Sequence, residues 1–145
     1  MALLLIGQPA QLRTTGTVQR VVDGDTLVLR GVGRVRLIGV DTPEVQDSRE
    51  VVQQIARESG AYLRRLADGQ TVTVEYDQRT RDRYGRLLAY LYLPDGRCIN
   101  AEIIRHGYGV AYTRYPFRYL KRYRALEREA RAAGRGLWAQ GGAAR

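Results

Sequence analysis

The sequence predicts an α+β fold, mainly β, in which five short strands close into a barrel and three helices pack on it. The chain has 145 residues, enough for one domain with its own apolar core. Short segments of alternating polarity occur on both sides of one long helical segment. Three strands before a helix and two after it is the order that the OB-fold has among five-stranded barrels.

The first three strands are predicted from alternation and from turn residues. The segments "TVQRVV" (17–22) and "TLVLR" (26–30) alternate with the strand period. The turn Asp23-Gly24-Asp25 between them favours a hairpin. A third strand, "RVRLIGV", is predicted after Gly33.

A helix is predicted from about Ser48 to Ala67, where apolar residues recur on one face. Asp47 or Ser48 can cap its first turn, and Asp68-Gly69 ends it. The face comprises Val52, Ile55, Tyr62, Leu63 and Leu66, with Ser59 in the gap between them.

Strand signals resume in "TVTVEY" (71–76) and "LLAYLYL" (87–93), which the charged loop 77–86 separates. After the turn at Pro94-Asp95-Gly96, the segment "CIN" is expected to be a short return strand. Two further helices are then expected, over Ala101–His106 and from about Pro116 to Ala133.

One domain is expected over residues 17–134. Residues 1–16 are expected to be an N-terminal extension, and its apolar run is too short for a complete signal peptide. This extension is a residual signal segment, a first strand or a disordered tail. Residues 135–145 are Gly/Ala-rich and are expected to be flexible, unless Trp138 anchors them.

The net charge of the chain is strongly positive, with 24 Lys and Arg against 15 Asp and Glu, a balance of +9. Codon bias in a GC-rich genome explains arginine in place of lysine, but it does not explain the surplus of positive charge. A guanidinium binds phosphate in bidentate fashion, so the charge favours a polyanionic partner, nucleic acid before membrane. No apolar segment approaches the length that spans a bilayer, and no membrane partner is expected.

Several charged residues stand where the predicted strands begin or end. Carboxylates with a hydroxyl or carbonyl nearby suit Ca²⁺ or Mg²⁺, a further carboxylate can act as general base, and two arginines can clamp a phosphate. Together such groups favour metal-assisted hydrolysis of a phosphodiester. The alternative is that they serve turns and the solvated surface. The residues are Asp25, Arg36, Asp41, Glu44 and Arg86.

Two of these residues cannot share a site in a flat strand. Strict alternation places Arg36 and Asp41 on opposite faces. If both reach one site, the chain must bulge or twist between them, and Gly39 is the position that allows it.

Four segments in order resemble the staphylococcal nuclease (thermonuclease) family, an OB-fold family of calcium-dependent nucleases. They are "VVDGDTLVL" (21–29), "VRLIGVDTPE" (35–44), "RTRDRYGRLLAYLY" (79–92) and "RHGYGVAY" (105–112). The resemblance implies cleavage of the P–O5′ bond of DNA and RNA, with 3′-phosphate products and a preference for single strands. It also implies a monomer that is secreted or extracytoplasmic.

The resemblance further implies a role for each residue at a matching position. Asp25, Asp41 and the main-chain carbonyl of Thr42 would bind Ca²⁺, and Glu44 would be the general base. Arg36 and Arg86 would contact the scissile phosphate. Tyr84, Tyr112 and Arg83 would contact the nucleotide.

The sequence departs from the family after Glu44, because the usual lysine-rich stretch and the Gly-x-Glu-Ala helix start are missing. The alternative to an active nuclease is therefore a catalytically silent OB module of this type that binds nucleic acid or protein. The presence together of all five charged residues favours the enzyme.

Overall fold

Five strands form a closed barrel in the order β1-β2-β3-β6-β5 in the computed structural model, which describes residues 14–139. A two-stranded sheet of β4 and β7 stands beside it, and three helices pack on the barrel. This confirms the predicted fold class. The elements are β1 Thr14–Val21, β2 Thr26–Leu29, β3 Gly33–Leu37, β4 Val40–Asp41, α1 Glu50–Ala67, β5 Thr71–Glu75, β6 Leu87–Tyr92, α2 Ile99–Arg105, β7 Val110–Ala111, α3 Leu120–Ala132 and a 3₁₀ turn Gly136–Trp138.

The barrel closes through one parallel pair. Strands β1, β2 and β3 pair antiparallel in succession, and β5 pairs antiparallel with both β1 and β6. Strand β3 then pairs parallel with β6, with Val35 opposite Leu87 and Leu37 opposite Ala89. The helix between β3 and β5 is long enough to return the chain to the other side of the barrel.

Alternation along the strands separates the core from the outer surface. In β3, Val35 and Leu37 are buried, whereas Arg34 is exposed and Arg36 is partly exposed. Helix α1 adds Leu63 to the same core. The largest fully buried apolar side chains are Tyr90, Tyr123, Leu27, Leu29, Leu37, Leu63, Leu91, Ile99, Ile103 and Ile104.

The chain turns sharply between β3 and β4, as the sequence required if Arg36 and Asp41 were to meet. Gly39 has φ +76, a left-handed conformation that glycine adopts without steric cost. A Cβ there would lie 2.5 Å from Cε2 of Phe117, so glycine is also needed for space. The predicted kink is confirmed.

Some predicted boundaries were wrong. The segment "CIN" is not a strand: Cys98 forms an isolated bridge with Tyr92, and α2 begins at Ile99. The reason is the buried Asn100 side chain, which accepts the Leu91 N–H and donates to the carbonyls of Ile38 and Ala89. These bonds hold the start of α2 against the barrel.

Two helices also begin later than predicted. Helix α1 starts at Glu50, because Asp47 accepts the N–H and the Nε–H of Arg49 and leaves the helix without a side-chain cap. Helix α3 starts at Leu120, after a turn in which its N–H bonds the Phe117 carbonyl. No helix within residues 14–139 is long and apolar enough to cross a membrane.

The ends of the described region pack on the domain. Strand β1 starts at Thr14, three residues before the predicted boundary, and pairs with β5 there. Leu137 is buried and its N–H donates to the Gly107 carbonyl, which places residues 136–138 against the domain. The rest of the expected extension (1–13) and of the expected tail (140–145) lies outside the described residues.

Candidate active site

Asp25 lies at the start of β2, buried beneath the turn that follows β4. Its Oδ2 accepts the Thr42 N–H at 3.1 Å and the Thr42 hydroxyl at 3.0 Å, and its Oδ1 accepts the Thr26 hydroxyl at 3.1 Å. Gly24 allows this approach, because a Cβ there would lie 2.8 Å from Oγ1 of Thr42. The hairpin therefore holds a buried carboxylate against the Asp41-Thr42 turn.

Arg36 joins this carboxylate to the kinked segment. Its Nη1 donates to the carbonyls of Leu37 (3.0 Å) and Val40 (2.6 Å). Its Nη2 lies 3.4 Å from Oδ2 of Asp25 and 3.7 Å from Oδ1 of Asp41. A single guanidinium therefore fixes the main-chain turn and bridges both carboxylates.

Asp41 is half-exposed, and it shares the Nη2 group of Arg36 with Asp25. Burial, together with the negative charge of Asp25, raises the pKa of its carboxyl, and Arg36 opposes that rise. The two carboxylates thus repel each other, and a cation would relieve the repulsion.

The donor set suits a hard cation. Two carboxylates and the nearby Thr42 main-chain carbonyl offer only oxygen atoms, which Ca²⁺ and Mg²⁺ prefer, and water or substrate oxygens can complete the coordination. Residues 14–139 contain no cluster of three or more His, Cys, Asp or Glu placed to hold a metal. Protein side chains alone would therefore leave much of the coordination sphere open.

Asp23 is a neighbour of this site that the sequence analysis missed. Its Oδ1 accepts the Asp25 N–H at 3.1 Å. Burial and the charges of Asp25 and Glu44 raise its pKa to about 6. The Glu44 side chain itself is exposed. Asp23, the first aspartate of the Asp-Gly-Asp turn, was visible in the sequence, but alternation gave no reason to place it at the site.

Arg86 is held by a carboxylate that the sequence analysis also missed. Asp82 accepts the Arg86 Nε–H at 2.7 Å through Oδ2, and the N–H groups of Tyr84 and Arg86 through Oδ1. Among the residues that the structure describes, the two Nη groups of Arg86 have no hydrogen-bond partner. They are available to an anion. In the sequence, Asp82 and Arg86 lie four residues apart with Gly85 between them, and this spacing was the signal that could have indicated the pair.

Tyr84 stands beside this arginine and is 68% exposed. The guanidinium carbon of Arg83 lies 4.8 Å from the Tyr84 ring centre, and that of Arg86 lies 5.4 Å from it. Arg83 also donates to the Tyr84 hydroxyl at 2.6 Å. An exposed ring close to two guanidinium groups suits a nucleotide base and its phosphate.

A groove of about 1040 Å³ contains most of these residues. Its walls come from the kinked segment 36–41, from the charged loop and from the loop that precedes α3, where Tyr112 and Tyr115 lie 6.3 Å apart between ring centres. Asp25, Thr42 and Glu44 do not line it; Asp25 contacts Arg36 at its edge. Of the residues expected to act at the site, those in the groove are Arg36, Asp41, Arg83, Tyr84, Arg86 and Tyr112.

Comparison with known proteins agrees with this architecture. The family described as "Staphylococcal nuclease homologue" matches residues 34–140, which include Arg36, Asp41, Glu44 and Arg86. The match thus covers most of the chain.

Similar proteins occur in several bacteria. An uncharacterized endonuclease of Escherichia coli O157:H7 is 40% identical over 126 residues, which are 85% of this chain and 76% of that protein. The thermonuclease of Staphylococcus hyicus is 34% identical over 128 residues, 86% of this chain and 75% of its own. Endonuclease YncB of Bacillus subtilis (strain 168) is 33% identical over 132 residues, which are 87% of this chain and 62% of that protein.

Proposed function

This chain belongs to the staphylococcal nuclease family, a family of nuclease hydrolases, and we propose that it cuts single-stranded DNA and RNA with Ca²⁺ as its metal. The cluster of Asp25, Arg36 and Asp41, of which Arg36 and Asp41 line the groove together with Arg86, is the observation that supports this most. It combines a cation site with a phosphate clamp.

In the proposed reaction, Asp25, Asp41 and the Thr42 carbonyl hold Ca²⁺. Bound there, Ca²⁺ would supply positive charge that stabilises the negative charge developing on a phosphate oxygen. The buried position of Asp25 and its bonds to Thr42 keep these ligands in place before substrate arrives.

Glu44 is the proposed general base. Its exposed carboxylate takes a proton from a water molecule that attacks the phosphorus. The P–O5′ bond breaks, the phosphate stays on O3′ of the upstream nucleotide, and the leaving O5′ of the downstream fragment takes up a proton from solvent. Arg36 and Arg86 donate to the equatorial phosphate oxygens and stabilise the charge of the five-coordinate transition state.

Single strands are the proposed substrates because the groove has exposed rings. Tyr84 and Tyr115 are exposed there and Tyr112 is partly buried, and such rings can stack on bases only where the bases are unpaired. In the same way, Arg83 can contact a neighbouring phosphate. We propose that the chain acts as a monomer and is secreted or extracytoplasmic, as the resemblance implies.

Cleavage with and without calcium tests the proposal. We expect the purified chain to degrade a single-stranded oligodeoxynucleotide and an RNA oligonucleotide in Ca²⁺, to stop in EGTA and to recover when Ca²⁺ is restored. Mass spectrometry of the products should find 3′-phosphate ends. Cleavage that persists in EGTA would contradict the metal role.

Measuring binding as well as cleavage distinguishes the proposed nuclease from the alternative, a silent binding module. If the chain binds the oligonucleotide but never cuts it across a calcium and pH series, it is a silent binding module and the proposed activity is wrong.

A further inference from the structure

Three arginines lie along the outer surface of the barrel and lead away from the candidate active site. Arg34 and Arg36 are two residues apart in β3 and face outward, opposite Val35 and Leu37 in the core. Arg34 pairs with Val28 on β2, and Val28 pairs with Arg20 on β1. We call Arg36, Arg34 and Arg20 the arginine row.

A bulge in β1 places Arg20 in this row. Val18 pairs with Leu29 and is buried, but Arg20 pairs with Val28, so Gln19 is an extra residue between the two pairs. Without the bulge, strict alternation would turn position 20 inward, as it does position 18. The extra residue therefore directs a guanidinium to the outer surface.

The charges of Arg20 and Arg34 are not neutralised by the part of the protein that the structure describes. Strands β1, β2 and β3 contain no Asp or Glu. Within residues 14–139, neither Arg20 nor Arg34 forms an ion pair, whereas seven other arginines do: Arg36, Arg49, Arg86, Arg97, Arg105, Arg118 and Arg131. Both Arg20 and Arg34 are exposed.

The spacing of the row suits a chain of phosphates that begins at the site. Arg34 and Arg36 are two residues apart on one strand, which places their backbones about 7 Å apart. Arg20 and Arg34 are two strands apart, which places their backbones about 10 Å apart. Arg36 lines the groove, so a strand bound at Arg36 has this surface beside it.

We propose that Arg34 and Arg20 bind the phosphate backbone of a single-stranded polynucleotide outside the groove, on the side opposite the loop that holds Tyr84. This proposal rests on the proposed function. The row makes the protein prefer strands that extend past the scissile phosphate, and it adds affinity without reading sequence, because it contacts phosphates alone.

The test compares oligothymidylates of 12 and 3 nucleotides, labelled with fluorescein, in EGTA so that nothing is cleaved. We expect the double variant Arg20→Gln/Arg34→Gln to weaken binding of the 12-mer about tenfold at low salt. The slope of log K against log[salt] should fall by roughly 1.4, since each single-strand phosphate contact contributes about 0.7. On the 3-mer the loss should be less than twofold.

The matched control is Arg124→Gln/Arg128→Gln, which removes the same charge from two exposed positions of α3. We expect this variant to change binding of the 12-mer less than twofold. Equal losses in the two double variants would mean diffuse attraction and would overturn the proposal. Unchanged binding in the row variant would also overturn it, provided thermal unfolding shows that the variant is folded.

An anionic membrane is the other polyanion that could meet this surface. If the row variant loses binding to phosphatidylglycerol vesicles but keeps its affinity for the 12-mer, the row serves lipid and the proposal fails. Because binding is measured in EGTA, its result is independent of cleavage. Row-dependent binding without cleavage in Ca²⁺ would contradict only the proposed function.

Discussion

Arg36 makes more contacts than a single positive charge requires. One Nη group donates to two carbonyls of the kinked segment while the other faces Asp25 and Asp41. A lysine ammonium at the same position keeps the charge but lacks the planar fork that reaches all four oxygens.

We therefore expect Arg36→Lys to lower kcat on the single-stranded substrate by about 10² or more, the effect of removing one preorganised donor from a reaction site. The control is Arg124→Lys, at an exposed position of α3 that does not line the groove. Its kcat should stay within twofold of the starting value. Near-normal turnover in Arg36→Lys would contradict the phosphate clamp.

Glu44 is exposed, and its main-chain carbonyl accepts the Asp47 N–H. Its side chain can therefore be changed without loss of that turn. We expect Glu44→Gln to lower kcat by about 10² to 10⁴, the usual contribution of a general base, and to leave the Kd measured in EGTA nearly unchanged.

Glu50→Gln, which changes an exposed glutamate in the first turn of α1, is the matched control and should alter neither quantity. If Glu44→Gln weakens binding as much as it slows turnover, its role is structural rather than chemical.

At the scale of elements, the turn between β3 and β4 decides whether the site assembles. Gly39 has φ +76, and a Cβ there would lie 2.5 Å from Phe117 and 2.8 Å from Tyr123. Gly31 has nearly the same φ, +74, but nothing lies within 4 Å of a Cβ placed there.

Alanine at the two glycines thus separates backbone strain from crowding. We expect Gly31→Ala to lower the free energy of unfolding by about 1–2 kcal/mol, the cost of the left-handed conformation. Gly39→Ala should cost a further 1–3 kcal/mol or so for overpacking, and it should also reduce cleavage. Urea denaturation measures both. Equal losses of stability in the two variants would mean that Phe117 moves aside at no cost.

At the scale of the whole molecule, Asp77 ties the barrel to the segment that precedes α3. Its Oδ2 accepts the hydroxyl of the buried Tyr90 at 2.6 Å and the Arg118 N–H at 2.9 Å. Burial raises the pKa of the Asp77 carboxyl, but the bonds from Tyr90, Arg118 and Gln78 outweigh it and hold the pKa below its ordinary value of 3.8.

The lowered pKa of Asp77 determines how the free energy of unfolding changes with pH. A carboxyl whose pKa is lower in the folded protein stabilises it above the unfolded pKa, and the contribution is lost as the pH falls through the folded pKa. We expect Asp77→Asn to lower the free energy of unfolding by about 1–3 kcal/mol at pH 7, because the carboxylate accepts several hydrogen bonds.

The difference between the original protein and this variant should remain at pH 5 and shrink below pH 3.8, as urea denaturation at each pH would measure. Asp68→Asn, at an exposed aspartate after α1, should change stability by less than about 0.5 kcal/mol. A loss in Asp77→Asn that is the same at every pH would contradict the ionic contribution.

The sequence by itself determined the features that depend on local order. Alternation placed the barrel strands within a few residues, the Asp-Gly-Asp turn indicated the first hairpin, and Gly39 marked the necessary kink. Four motifs together indicated the family, which the match over residues 34–140 confirms. The chemical roles of the site residues stay predictions.

Only the tertiary structure decided which distant groups hold these parts in place. Asp25 accepts two hydrogen bonds from Thr42, Asp77 accepts those of Tyr90 and Arg118, Asn100 fixes the start of α2, and the bulge at Gln19 turns Arg20 outward. The physical reason is the same in each case. Hydrogen-bond partners and strand register are set by how the closed barrel pairs and packs, and the spacing of residues along the chain does not contain that information.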